Sequence, residues 1–213
     1  MKTIIILLFT ILSSCNQHKC PEGINDLPMY GEVPKCDEQL KIDTDFLKEC
    51  DSVFESRKIA AIHYIDLAWG HFYENQMDLS MRRFNQAWLL DKENADVYWG
   101  FGNLLGKKGD FEKSLVYFEK SLRMNSSNAK VWESKAISYG QIFYKTKEIT
   151  PLNKAIDCFK KALKIEPNNA RVSGQLAHVY TYFSQKDSLR KYIELTDQLD
   201  ATIIREDLRK LID

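Results

Sequence analysis

Three stretches of this 213-residue chain read alike: Asn94-Ala95-Asp96-Val97-Tyr98-Trp99, Asn128-Ala129-Lys130-Val131-Trp132 and Asn169-Ala170-Arg171-Val172. The first interval is 34 residues and the second is 41. Self-similarity at an interval of this size predicts a stack of small supersecondary units, none of which buries its apolar face alone. Gly and Pro are sparse, with nine and five residues, so the units read as helix pairs and not as strands and turns.

Working outward, the repeat at 95–128 shows the pattern best, with Tyr98, Phe101-Gly102, Leu105, Gly109, Ser114, Phe118 and Ser121. The repeat at 129–169 offers Trp132, Ala136 and Tyr139, then Ala155, Phe159, Ala162 and Pro167, with seven extra residues within Gly140–Lys154. The repeat at 61–94 carries Tyr64, Leu67, Ala68, Ser80, Phe84 and Ala87. A fourth, 170–200, opens with Leu176, Ala177 and Tyr180 and decays into Ser188, Tyr192 and Leu195. This order of large and small residues resembles the tetratricopeptide repeat. Small residues at Ala68, Gly102, Ala136 and Ala177 let the two helices of a pair approach, and Phe84, Phe118 and Phe159 fill the layer between pairs. The resemblance implies an all-α, right-handed α-solenoid of three to four helix pairs over 61–200. Capping helices are expected at 41–60, with an apolar face from Phe46, Leu47, Val53 and Phe54, and at 201–213, on the amphipathic stretch Ile203–Ile212. The repeats depart from the pattern where Lys92 and Ser126 replace the closing proline and where His71 stands at an aromatic position.

In proteins with this repeat the first helix of each pair lines a concave face. Here that face takes Ile65, Trp69, Phe72 and Tyr73 from the first repeat, Trp99, Asn103 and Lys107 from the second, Lys130 from the third and Arg171 from the fourth. Its first half is apolar and aromatic, which marks an interaction site, and Trp and Tyr are common binding hot spots. Trp69 and Trp99 are expected to flank one concavity. The resemblance implies a protein or peptide partner. A carboxylate clamp for chaperone C-termini is disfavoured: Asn103 and Arg171 match it, but Trp99, Ser134 and Gln175 do not. The alternative is a pilotin-like or envelope-assembly accessory that meets a folded membrane component through the outer face, favoured if the chain's own N-terminal helix fills the groove.

The N-terminus differs from the rest. Met1–Ser14 has one Lys, then an apolar run from Ile4 to Leu12 broken by Thr10, as in a signal peptide and too short to span a bilayer. The ending Leu12-Ser13-Ser14-Cys15 resembles the lipobox of bacterial lipoproteins, which implies acylation of Cys15 and anchoring in a membrane. Asn16 follows where some Gram-negative retention signals have Asp, so the periplasmic face of the outer membrane is the expected location. Residues 15–40, with Pro21, Gly23, Pro28, Gly31 and Pro34, read as a tether. In an oxidising compartment Cys20, Cys36, Cys50 and Cys158 allow three full pairings. Cys36–Cys50, flanking a helix-like segment, is the preferred one, with Cys158 as a buried hydrophobe.

Thirty basic residues balance thirty acidic ones, which gives no reason to expect nucleic acid or an acidic surface as the main partner. The chain has no HExxH, GxSxG, P-loop or GxGxxG, and His18, His63, His71 and His178 are scattered. No enzyme activity, cofactor, metal or small-molecule substrate is expected.

Overall fold

The computed structural model describes residues 19–183 and 185–212. The signal peptide at 1–14 and the expected lipidation residue Cys15 lie outside the described residues. Among the described residues ten α-helices follow one another: α1 (Asp37–Val53), α2 (Arg57–Tyr73), α3 (Met77–Leu90), α4 (Ala95–Lys107), α5 (Phe111–Met124), α6 (Ala129–Thr146), α7 (Ile149–Ile165), α8 (Ala170–Tyr180), α9 (Lys186–Asp200) and α10 (Glu206–Arg209). They form an all-helical stack of antiparallel pairs, α2 with α3, α4 with α5, α6 with α7 and α8 with α9, each pair resting on the next.

The repeated Asn explains where the first helix of each unit starts. Asn94, Asn128 and Asn169 are N-caps whose side chains accept from the backbone N–H of Asp96, Lys130 and Val172 at 3.0, 3.1 and 3.1 Å. Within the pairs the chain reverses through a left-handed residue, Asn75 (φ 61°) and then Gly109 (φ 87°), 34 positions apart. The seven extra residues of the third repeat do not loop out. They lengthen α6 and α7 to 18 and 17 residues, against 13 and 14 in α4 and α5.

Packing follows the alternation of large and small side chains. Phe84, Phe101 and Phe118 are completely or almost completely buried, and Phe84 and Phe118 lie directly on glycines of α4. A Cβ at Gly100 would meet the Phe84 ring at 2.2 Å, and one at Gly102 the Phe118 ring at 2.5 Å. At the far end Ile203 and Ile204 close over Gly174, Leu208 and Ile212 pack on the same core, and Arg209 pairs with Asp197. Among the described residues of the expected C-terminal capping helix, four are α-helical.

The N-terminal third departs from the sequence reading in three ways. First, the capping helix is α1 at 37–53, not 41–60. Ser56 ends the break and caps α2 by accepting from Ile59 N at 3.3 Å, so Arg57 opens the first repeat helix. Phe46, Leu47 and Phe54 pack with Cys50, Ala60, Ala61 and Leu90, whereas Val53 stays 69% exposed.

Second, residues 24–32 are not a tether. Ile24, Met29 and Tyr30 are buried, and Met29 joins the core around Phe84. Asn85 of α3, fully buried, donates from Nδ2 to the carbonyls of Asn25 and Leu27 at 3.0 and 2.9 Å and accepts from Tyr30 N at 3.4 Å. Met29, Tyr30, Gly31 and Glu32 all have positive φ between 54° and 69°, a left-handed run that turns Met29 and Tyr30 inward. Tyr30 stacks at a tilt on Trp88, 6.4 Å between centroids, under the ammonium of Lys35 at 3.2 Å.

Third, Cys36 bonds Cys20, not Cys50. Cys36 is the N-cap of α1 and Cys50 lies fourteen residues along it. A helix rises about 1.5 Å per residue, which puts the two sulfurs roughly 20 Å apart. Cys50 and Cys158 are buried free thiols, and burial pushes Cys158 up to about 11. The Cys20–Cys36 bond closes a sixteen-residue span around the docked segment, worth about 3 kcal/mol by loop closure.

Candidate functional site

The first helix of each pair contributes to one shared face. On it α2, α4 and α6 border a cleft of about 330 Å³ whose walls include Phe72, Asn103, Gly106, Lys107, Ser134 and Ile137. Phe111 and Phe118 reach its base from α5. Beneath it the hydroxyls of Ser114 and Ser138 share a buried hydrogen bond of 2.8 Å. Gly106 keeps the cleft open: a Cβ there would find nothing nearer than 3.7 Å.

The aromatic end of this face is one continuous cluster. The rings of Trp69 and Trp99 meet at 4.5 Å between centroids, Trp69 lies edge-on to Phe72 and to the buried Phe84, both at 5.3 Å, and Tyr73 stacks beyond it at 6.0 Å. Such offset and edge-on pairs are the favoured geometries for aromatic rings. Trp99 is held in place: its Nε1 donates to Ser134 Oγ at 3.0 Å, Ser134 donates to Asn103 Oδ1 at 3.3 Å, and Asn103 donates back to Trp99 O at 2.8 Å. Three positions of the carboxylate clamp are therefore tied to one another. Helix α1 packs away from this cluster, against Ala60, Ala61 and Leu90, and leaves Tyr73 78% exposed.

The expected groove residues divide. Phe72, Asn103 and Lys107 line the cleft, Trp69, Tyr73 and Trp99 form the aromatic cluster beside it, and Ile65, 6% exposed, is core. Lys130 and Arg171 lie further along. Arg171 donates to Glu133 Oε2 at 2.7 Å and borders a second recess with Gly174, His178 and Leu208. Phe111 and Phe118, on the second helix of their pair, were not expected at the cleft, because the repeat pattern reserves that helix for packing between layers. Tyr144, His178 and Tyr182 form a further hydrogen-bonded cluster, 2.8 Å between the phenols and 3.2 Å from Tyr144 to His178. It exists because the inserted residues extend α6 by more than a turn, which a repeat alignment does not show.

Glu133 is 3% exposed, and its Oε1 has no partner among the described residues. Burial raises its pKa, and Arg171 opposes the rise. A carboxyl with a folded pKa above its unfolded value binds more protons when folded, so its contribution to stability declines as pH rises from the unfolded value through the folded one. Glu133→Gln is thus expected to raise the unfolding free energy at neutral pH by about 1 kcal/mol, with the gain fading in acid as the wild-type carboxyl protonates. Urea unfolding of both proteins at pH 7 and pH 4 checks this.

The tetratricopeptide repeat profile matches residues 95–128 and 152–169. The uncharacterized protein MJ0572 of Methanocaldococcus jannaschii is 32% identical over 74 residues, 35% of this chain and 78% of that protein. Protein CTR9 homolog of Arabidopsis thaliana is 28% identical over 93 residues, 44% of this chain but 8% of that much longer protein. The crystal structure of YrrB, described as a TPR protein with an unusual peptide-binding site, superposes with a TM-score of 0.59 at 19% identity, covering 78% of this chain and 79% of that one. At that identity the likeness speaks for the fold. The 34-residue interval, the Asn-capped helix pairs, the glycine–phenylalanine layers and the matching profile agree: the chain is a tetratricopeptide repeat protein.

Proposed function

We propose that this repeat scaffold is a lipid-anchored protein of the bacterial cell envelope, on the periplasmic face of the outer membrane, that holds an extended peptide along its concave face. The observation that carries the reading is the open cleft beside the ordered Trp69–Trp99 cluster. An apolar side chain seated between Phe72, Gly106 and Ile137 would lose water on several sides, and Lys107 at the rim would pair with an acidic group beside it. The peptide-binding site named for YrrB supports a peptide occupant. The uncovered aromatic end favours the groove over the outer face as the partner's site.

Gly106→Leu tests the groove. The new side chain has room toward the cleft, and Gly106, in the last turn of α4, lies outside the left-handed region, so a side chain there brings no backbone strain. Peptides selected from a random library on the wild-type protein are expected to bind Gly106→Leu at least about tenfold more weakly, roughly 1.4 kcal/mol, with the melting temperature unchanged or raised. Unchanged peptide affinity would exclude the cleft.

Support for the anchor is the Leu12–Cys15 stretch behind a short apolar run. Metabolic labelling with a fatty-acid analogue is expected to mark the wild type and not Cys15→Ala. Equal labelling of the two would end the lipoprotein reading.

A further inference from the structure

Overall neutrality conceals a strong separation of charge. Residues 129–171 hold eight Lys and one Arg against four acidic residues, whereas α1 holds six acidic residues against two Lys. Most of the basic excess lies on α7, whose Lys154, Lys160, Lys161 and Lys164 face a single acid, Asp157.

These lysines are interleaved with aromatic rings. Lys161 Nζ lies 4.3 Å from the centroid of Trp132, Lys154 5.5 Å from Tyr139 and Lys160 5.9 Å from Tyr180. Trp132 and Tyr139 are half-buried, and all four lysines are exposed. Long cationic side chains beside amphipathic rings suit the headgroup layer of an anionic bilayer, where the ring sits at the interface and the ammonium meets phosphate.

The location of the N-terminal segment argues for this occupant. Residues 24–32 are fastened to α3 and α5, the second helices of the two preceding pairs, and α7 is the next helix of that row. Cys20 is bonded to Cys36, so only the five steps from Cys15 to Cys20 are left as a leash, roughly 17 Å when fully extended. A leash that short holds the row of second helices close to whatever carries the lipid.

We infer that α7 and its neighbouring rings form a docking surface for anionic phospholipid, which turns the outer face to the membrane and the concave groove away from it. This rests on the anchored reading above, and the experiment separates the two. Full-length protein is mixed with vesicles of phosphatidylglycerol and phosphatidylcholine, or of phosphatidylcholine alone, and lysine reactivity is mapped by acetylation and mass spectrometry. On phosphatidylglycerol vesicles Lys154, Lys160, Lys161 and Lys164 are expected to lose at least about threefold in reactivity and to regain it at high salt, while Lys107 and Lys130 on the concave face stay reactive. In Lys154→Glu/Lys161→Glu/Lys164→Glu the same lipid-dependent protection of Lys160 is expected to disappear. Failure to float with phosphatidylcholine vesicles would count against the anchor alone. Overturning the docking surface would take full reactivity of these lysines on phosphatidylglycerol, equal protection on both vesicles, or stronger protection by duplex DNA than by the anionic vesicles.

Discussion

Phe118→Ala is expected to lower the unfolding free energy by about 4 kcal/mol, the cost of emptying a large site that cannot collapse. The ring is 1% exposed and lies on Gly102, whose missing Cβ is what allows the contact at all. Gly102→Ala places a methyl group 2.5 Å from the ring and is expected to cost about 2 kcal/mol by overpacking. The double substitution Gly102→Ala/Phe118→Ala is expected to cost clearly less than the sum, because the methyl enters space the ring has left. Strict additivity in urea unfolding would mean that glycine and phenylalanine do not form one packing unit. The same ring borders the base of the cleft, so Phe118→Ala links stability to the geometry of the groove.

Asn85→Leu is the second large effect, expected at about 3 kcal/mol. It removes all three bonds of the Asn85 amide, leaves the Asn25 carbonyl without its partner, and leaves Tyr30 N and Leu27 O with only the 3.1 Å bond they make to each other. Asn85→Asp, which keeps an acceptor for Tyr30 N and loses both donated bonds, should fall no lower than Asn85→Leu only if its charge finds water. Hydrogen exchange at the Tyr30 amide and proteolysis within 21–35 are the local readouts, and both are expected to speed up in Asn85→Leu. An unchanged Tyr30 exchange rate would show that burial of Met29 and Tyr30, with the Tyr30–Leu27 backbone bond, secures the segment without Asn85.

The contrast between these two sites explains what the sequence disclosed. Phe118 and Gly102 recur at a fixed interval with counterparts in neighbouring repeats, so periodicity exposes them. The docked segment has no period. Its prolines and glycines have the composition of a linker, and what fixes it is a distant Asn85 together with left-handed backbone at Met29 and Tyr30, a conformation neither residue type announces. The disulfide was misread for a related reason. Beginning the capping helix at 41 left Cys36 outside it and free to reach Cys50, whereas Gln39 accepts from Cys36 N at 3.3 Å and the helix starts at Asp37. In the groove, the aromatic residues were legible from repeat position. The cleft beside them was not, since it depends on Gly106 lacking a side chain and on the rings of Phe111 and Phe118, which the pattern assigns to packing.

Asn85 also bears on how this array could have grown or could be rebuilt. Its counterparts one and two repeats on are Glu119 and Lys160. Glu119 pairs with Lys135 at 3.2 Å, and Lys160 lies beside Tyr180. Neither presents the donor and acceptor together that a passing backbone needs. The units are therefore not interchangeable parts: an array assembled from copies of the second repeat would keep its layers and have nowhere to fasten the segment ahead of α1, and a repeat inserted between the first and second would separate Asn85 from the Lys120 that meets Met29. Length can be added to this solenoid beyond that junction, but its first two units are inherited as a block.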